Sequence, residues 1–247
     1  MVKIITPYIN KEEIIHHKQL FWEYDVYYDF DEASIGPDLM LQKMWNKFPN
    51  EDIFILHADM TPHHEGWFEE VLSYVNKYPE AGMFGCLLLY PLQDNKGNYY
   101  IQSAGGRFTE NHPDHYGSGI DIDTMSVRKA EIEIDEGQYD RVREVAWTTF
   151  GGCYLRRSFI NSVGKLSPEF EWAFSRDVDY CLLARQAGQK IYQIPVRIFH
   201  HESRDSKKAR GQDYNKGIIE VRNAATLQAK WANSEFYKTL DKEIINS

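Results

Sequence analysis

The strongest constraint on this chain is a rhythm that repeats along it: short apolar runs bounded by turn residues alternate with stretches of helical apolar spacing. That alternation produces a mostly parallel central sheet flanked by helices, the α/β class. Val2–Thr6 reads as a first strand stopped by Pro7, Lys11–Leu20 as a short helix and Val26–Phe30 as a second strand. Pro37–Lys47 is a helix with proline at its first position, where a missing N–H is harmless. Ile53–Leu56 follows as a buried strand. In Glu65–Lys77, Trp67, Phe68, Val71, Leu72 and Val75 share one helical side, and Met83–Tyr90 is the next strand. Asp94–Gly97 is a turn signal that pairs Tyr99–Ser103 with a neighbour.

Arg107–Arg143 turns polar and rich in Gly and Asp, too long for a passive connection. It is expected to form part of a substrate site, mobile until ligand binds. Order returns at Val145–Phe150 and Cys153–Leu155, followed by a helix from about Arg157 to Val163. Ser175 is placed to cap a helix running to Ala187, ended by Gly188. Lys190–Ile194 and Val196–His200 read as strands on either side of Pro195, Ser203–Gln212 as a charged mobile stretch, and Asn215–Ala232 as a terminal helix. Without repeats or a convincing linker, the chain reads as one domain.

With 43% hydrophobic and 14% aromatic residues, the 247-residue chain has the material for a sizeable core. A formal charge of -9 argues against nucleic acid or an anionic membrane as partner. The start MVKIITPYIN lacks a signal-peptide layout, and no apolar run approaches the roughly 18 residues of a membrane span, so a cytoplasmic protein is expected. Cys86, Cys153 and Cys181 lack CxxC spacing and read as reduced core residues.

Three elements carry chemistry. Ile53-Phe54-Ile55-Leu56-His57-Ala58-Asp59 is an apolar strand ending in polar groups that bind cations, and alternation puts His57 and Asp59 on one side of an extended chain. An Asp after a strand is also a common turn cap. Phe174-Ser175-Arg176-Asp177-Val178-Asp179 sets two carboxylates in a first helical turn, where the helix dipole favours the ionised form; dipole complementation alone is the blander explanation. His200-His201 ends an apolar strand, and adjacent strand residues face opposite ways, so only one enters a site.

In combination these elements resemble the family 2 glycosyltransferases of the GT-A fold. That family shows an apolar strand ending in Asp-x-Asp, a small-residue turn followed by basic residues, a "vGgfDe" turn, Glu-Asp-x-Asp opening a helix that ends in Gly, and a strand ending in His. The corresponding stretches here are ILHADM, GGCYLRR (Gly151–Arg157), VGKLSPEF (Val163–Phe170), SRDVDYCLLARQAG (Ser175–Gly188) and IPVRIFHHES (Ile194–Ser203). YGSGIDID and YDRVREV are similar to the acceptor-loop region of bacterial rhamnosyl- and other hexosyltransferases. The likeness covers roughly residues 50–205, and the matched order is more specific than any single motif.

The departures are informative. His57 stands at the first aspartate of Asp-x-Asp, so Asp59 carries over as the metal-coordinating acid. Arg176 replaces the glutamate before the catalytic aspartate, which Asp177 matches, while Leu183 replaces an arginine and Arg185 keeps the next basic position. The stretch from Thr6 to Ile53 is shorter than the family's nucleotide-binding half, so the resemblance implies a shortened nucleotide-binding half at about 1–60, an acceptor half at about 61–205 and a helical tail at about 206–247, with Tyr8, Asn10, Asp29 or Asp31 left to replace the uracil-contacting acid. The Gln-x-x-Arg-Trp motif of processive synthases is absent; Gln228-Ala-Lys-Trp231 has the wrong spacing.

The resemblance implies an inverting hexosyl transfer from a UDP-, dTDP- or GDP-sugar to a hydroxyl of a glycan or glycoconjugate, with Asp177 as base. Asp59, with His57 or His200, would hold Mn²⁺ or Mg²⁺, an imidazole favouring manganese. Pro7, Tyr8, Asp29, Gly152 and Arg185 complete the expected donor contacts, with Arg156 and Arg157 as further phosphate candidates. Asp179, Trp147 and Trp172 are expected on the acceptor, with Tyr116 another stacking candidate. Two other classes stay open: a metal-dependent hydrolase using His57, Asp59, His63, His64 and His200, and a catalytically silent nucleotide-sugar-binding domain.

Overall fold

The computed structural model describes residues 1–108, 113–115, 133–201 and 216–240. Five strands share one direction: β1 (Val2–Tyr8), β2 (Val26–Phe30), β3 (Asp52–Ile55), β5 (Ala81–Gln93) and β11 (Lys190–His200). The sheet order is β2-β1-β3-β10-β5-β11-β4, with the short strands β10 (Cys153–Leu155) and β4 (Met60–Pro62) antiparallel to their neighbours. Two more antiparallel strands lie off this path: β6 (Tyr99–Ser103) on β5 and β9 (Arg143–Glu144) on β11. A separate ribbon joins β7 (Gly106–Phe108) to β8 (Pro113–His115).

Alternation along the central strands splits the core between two sheet faces. Ile53, Ile55, Cys153 and Leu155 face α2 (Pro37–Trp45), α4 (Arg157–Val163), α5 (Arg176–Gln186), α6 (Lys216–Trp231) and α7 (Glu235–Thr239). Phe54, Leu56 and Tyr154 face α3 (Trp67–Lys77) and Phe21, which follows α1 (Glu13–Leu20). Both faces are covered, which is why the central strands are continuous apolar runs.

Several local expectations are corrected. Pro7 does not stop β1. Past Ile5 the β3 side of β1 is unpaired, so a residue without an N–H takes no bond from the ladder there. The two strands expected around Pro195 are one, with the register to β5 shifting between Ile194 and Arg197. Val145–Phe150 is ordered without forming a strand: Trp147 bridges to Gly106, and the Val145 and Ala146 N–H groups donate to the Ile191 and Gly106 carbonyls at 3.0 Å each. Ser175 sits before α5 with φ 60° and makes no side-chain cap bond.

The substrate loop expected over Arg107–Arg143 falls largely outside the described residues, as does Tyr116. Its described end is pinned: Ile101 N–H donates to the Glu133 carbonyl at 2.8 Å, Asp135 N–H to that of Tyr99 at 2.8 Å, and Arg197 pairs with Asp135 and Asp140 at 2.5 Å each.

Candidate active site

In an open α/β sheet, ligands gather at the carboxyl ends of the parallel strands. At that edge β3 runs into a tight turn, Met60 N–H donating to the His57 carbonyl at 3.1 Å, and β4 then pairs with the end of β11. This turn, rather than the expected alternation along an extended strand, brings His57 and Asp59 together. Pairing of Met60 with His200 delivers the third side chain. One ligand atom from each of His57, Asp59 and His200 lies within 4.8 Å of the others.

The chemistry of the trio suits a divalent cation. His200 Nδ1 lies 2.7 Å from Gln102 Oε1, an atom that only accepts, so Nδ1 carries a proton, and Nε2 is the nitrogen turned to Asp59 Oδ2, at 3.3 Å. Burial lowers the His57 pKa to about 4, against the pull of Asp59 and helped by His200, so its imidazole is neutral near pH 7. His57 Nε2 is buried with no hydrogen-bond partner among the described residues. An orphaned neutral imidazole nitrogen beside a carboxylate is a donor set in want of a cation. His201 turns elsewhere, to Thr61 Oγ1 at 3.1 Å, and its N–H donates to the Asp59 carbonyl at 2.9 Å.

Behind the trio, Gly151 and Gly152 make the turn into β10. A Cβ on Gly151 would lie 2.3 Å from Met60 Cε and 3.3 Å from His57 Nδ1, and Gly152 adopts φ 65°. On α1, burial pulls the His17 pKa down to about 4; His17 Nδ1 lies 3.1 Å from the Tyr28 hydroxyl, and the Asp59 charge reaches its ring.

The second centre lies at the start of α5. Asp177 Oδ1 accepts from Val178 N–H at 2.9 Å, and burial raises the carboxyl to about 6 against the nearby Arg176 charge. Its charge reaches the Cys153 thiol, which burial already holds well above its ordinary value; Cys153 pairs with Ile55, two residues before His57. Asp38, in the first turn of α2, faces the same place: burial and then the Asp177 charge push it to about 7, while Arg176 opposes. Fully buried Arg176 puts Nη1 3.7 Å from Asp38 Oδ2.

Asp38, Gln102 and His17 are not evident in the sequence. Asp38 looks like an ordinary acid at a helix start, and Gln102 and His17 acquire roles only through partners far along the chain. The one available signal was a lone amide within the strand YYIQS.

Other expected site residues occupy structural positions. Asp179, fully buried, accepts from Ser167 Oγ, from Lys230 Nζ at 2.8 Å and from Trp231 Nε1 at 2.7 Å, joining α6 to α5. Arg185 binds Glu144 at 2.5 Å and the Val145 carbonyl. Arg156 holds the Val75 and Ala81 carbonyls at 2.6 and 2.8 Å, and Arg157 those of Trp45, Phe48 and Glu51 at 2.7 to 3.0 Å. Buried Trp147 donates to the Arg107 carbonyl at 3.0 Å, while Trp172 is half-buried in the turn before α5.

Tyr8 stacks near Phe30 at 5.4 Å, Asp29 pairs with Lys43 and Lys47 at 3.3 Å, and buried Asp31 accepts from the N–H groups of Ile35 and Gly36 at 2.9 Å. His63 packs on Phe199 and Tyr99, and His64 on Glu70. Among the described residues no helix is long and apolar enough to cross a membrane.

No family model matches this sequence, and no curated protein matches it. Solved structures do. GalNAc-T7 with UDP, GalNAc and Mn²⁺ is similar at TM-score 0.54 and 12% identity, over 81% of this chain and 43% of that one. The fold is GT-A. A197 from STIV is a more distant likeness at TM-score 0.47 and 14% identity, over 81% of this chain and 84% of that one. This chain spans less than half of the GalNAc-T7 chain, and at such identity the GT-A likeness speaks for the backbone alone.

Proposed function

We propose that this chain is a metal-dependent, inverting glycosyltransferase akin to family 2, moving a hexose or deoxyhexose from a nucleoside-diphosphate sugar to a hydroxyl of a glycan or glycoconjugate. The observation that carries the reading is the meeting of His57, Asp59 and His200 within 4.8 Å at the carboxyl edge of a GT-A sheet. These three would hold Mn²⁺ or Mg²⁺, two imidazoles favouring manganese, and GalNAc-T7 pairs the same fold with Mn²⁺ and UDP. When bound, the ion supplies positive charge for the diphosphate leaving group.

Asp177 takes the acceptor proton. With its carboxyl raised to about 6 it is mostly ionised at pH 7 yet more basic than an exposed aspartate, as a general base requires. The acceptor oxygen forms a bond to the anomeric carbon, its proton passes to an Asp177 oxygen, and the anomeric C–O bond breaks with its electron pair leaving on the diphosphate. Arg176 opposes the rise at Asp177, and the Asp177 charge in turn raises Asp38. The three buried free cysteines fit a reducing, cytoplasmic setting.

Thermal unfolding with UDP, GDP or dTDP, each with and without Mn²⁺, tests the reading. A rise in Tm is expected with one nucleotide and requires the metal, because only ligand bound to the folded state stabilises it. No rise with any nucleotide in Mn²⁺ or Mg²⁺ overturns it.

A further inference from the structure

The turn leading into α5 contains three non-glycine residues in left-handed backbone: Trp172 at φ 51°, Phe174 at φ 72° and Ser175 at φ 60°. Each costs on the order of 1 kcal/mol or more, so the run persists only if its surroundings impose it. Two side chains divide the carbonyls between them. Arg176 donates to Phe170 and Trp172. Asn223, 1% exposed on α6, donates through Nδ2 to Glu171 at 2.7 Å, Ala173 at 2.6 Å and Phe174 at 3.2 Å, and its Oδ1 accepts from Glu171 N–H at 2.8 Å. From the other side Gly36 packs so closely that a Cβ there would lie 2.6 Å from the Trp172 carbonyl oxygen.

We propose that Asn223 is a positioning residue for Asp177: by holding the turn from Glu171 to Ser175 in its left-handed form from α6, it sets where α5 begins and so where the Asp177 carboxyl stands. The catalytic meaning rests on the glycosyltransferase reading; the positioning itself does not. The titratable groups that bear on Asp177 are Asp38 of α2, Arg176 beside it, Cys153 of β10 and Cys181 of α5. Asn223 is uncharged, so its loss reaches Asp177 through the backbone and not through removal of a charge.

The test follows the Asp177 carboxyl carbon by NMR as pH is varied. In the unaltered protein the midpoint is expected near 6. Asn223→Ala is expected to lower it by about one unit as the turn relaxes and water enters. Leu227→Ala, one turn further along α6 and buried in the core, is expected to lower stability while leaving the midpoint in place. Adding Ser175→Gly to Asn223→Ala is expected to bring the midpoint back, since glycine takes left-handed backbone without strain and Ser175 makes no side-chain cap bond.

The proposal is overturned if Asn223→Ala leaves the midpoint unchanged, if Leu227→Ala shifts it equally, or if Ser175→Gly reverses nothing. Should Asn223→Ala not fold, Asn223→Ser, which keeps one donor, is read in its place. Failure of nucleotide and Mn²⁺ binding would refute the enzymatic reading and leave this titration standing, so the two failures are told apart.

Discussion

Gln102 and His200 sit 98 positions apart in the chain and 2.7 Å apart in space, Oε1 to Nδ1, and this contact decides which imidazole nitrogen of His200 faces Asp59. Gln102→Leu is therefore expected to weaken Mn²⁺ binding about 10–100-fold, the usual effect of losing a partner behind a ligand. Asp59→Ala is expected to weaken it further, and His57→Ala less than Asp59→Ala. Electron paramagnetic resonance of free Mn²⁺ gives the affinities; equal affinity for Asp59→Ala and the unaltered protein would remove the site.

Asp177→Asn is expected to reduce transfer by about 10²–10⁴ while leaving nucleotide binding and the fold intact, since the amide keeps the shape but takes no proton. Asp179→Asn is expected to act on stability instead, because it disturbs the contacts with Ser167, Lys230 and Trp231, at a cost of about 1–3 kcal/mol. A product assay paired with urea unfolding separates the two. An inactive but fully stable Asp179→Asn would place the base at Asp179.

The stability contributed by Asp38 and Asp177 is expected to fall as pH rises from about 4 toward 7, opposite in sign to the contribution of His17 and His57, whose pKa values burial lowers to about 4. Asp38 and Asp177 have folded pKa values of about 7 and about 6, above the ordinary 3.8, so in that window the folded state holds protons that the unfolded chain has released. Their contribution is complete below the unfolded value and lost as pH passes through the folded ones. Asp38→Asn should flatten this slope, by about 1–3 kcal/mol shared by a pair that titrates together. Urea midpoints of the unaltered protein and of Asp38→Asn at pH 4.5 and 7.5 check the sign of the difference; a slope unchanged by Asp38→Asn would show that other groups carry it.

Arg185→Ala is expected to destabilise the fold by about 1–3 kcal/mol while leaving nucleotide affinity in Mn²⁺ unchanged, since its guanidinium is occupied by Glu144 and the Val145 carbonyl. Calorimetry beside urea unfolding decides this, and a loss of affinity without loss of stability would return Arg185 to the donor site.

Apolar spacing is enough to predict the alternation of strands and helices, because it is a local property that burial on both sheet faces enforces. β10 and α4 have the boundaries that spacing predicts, and β3, α2 and α3 differ only at their ends. Equally legible were the polar end of the strand reaching His57 and Asp59 and the acids opening α5. The partners of those polar groups came from folding. Arg156, Arg157 and Arg185 looked alike as phosphate candidates, yet each found backbone carbonyls tens of residues away. Asp177 and Asp179 share a helical turn, but one faces Asp38 and the other is enclosed by Ser167, Lys230 and Trp231. Asn223 carried no signal at all, since its role depends on carbonyls about 50 residues upstream that turn toward it only once α6 is seated. Apolar periodicity is read one neighbour at a time, whereas a hydrogen bond is fixed by direction and distance, which exist only after the chain has folded.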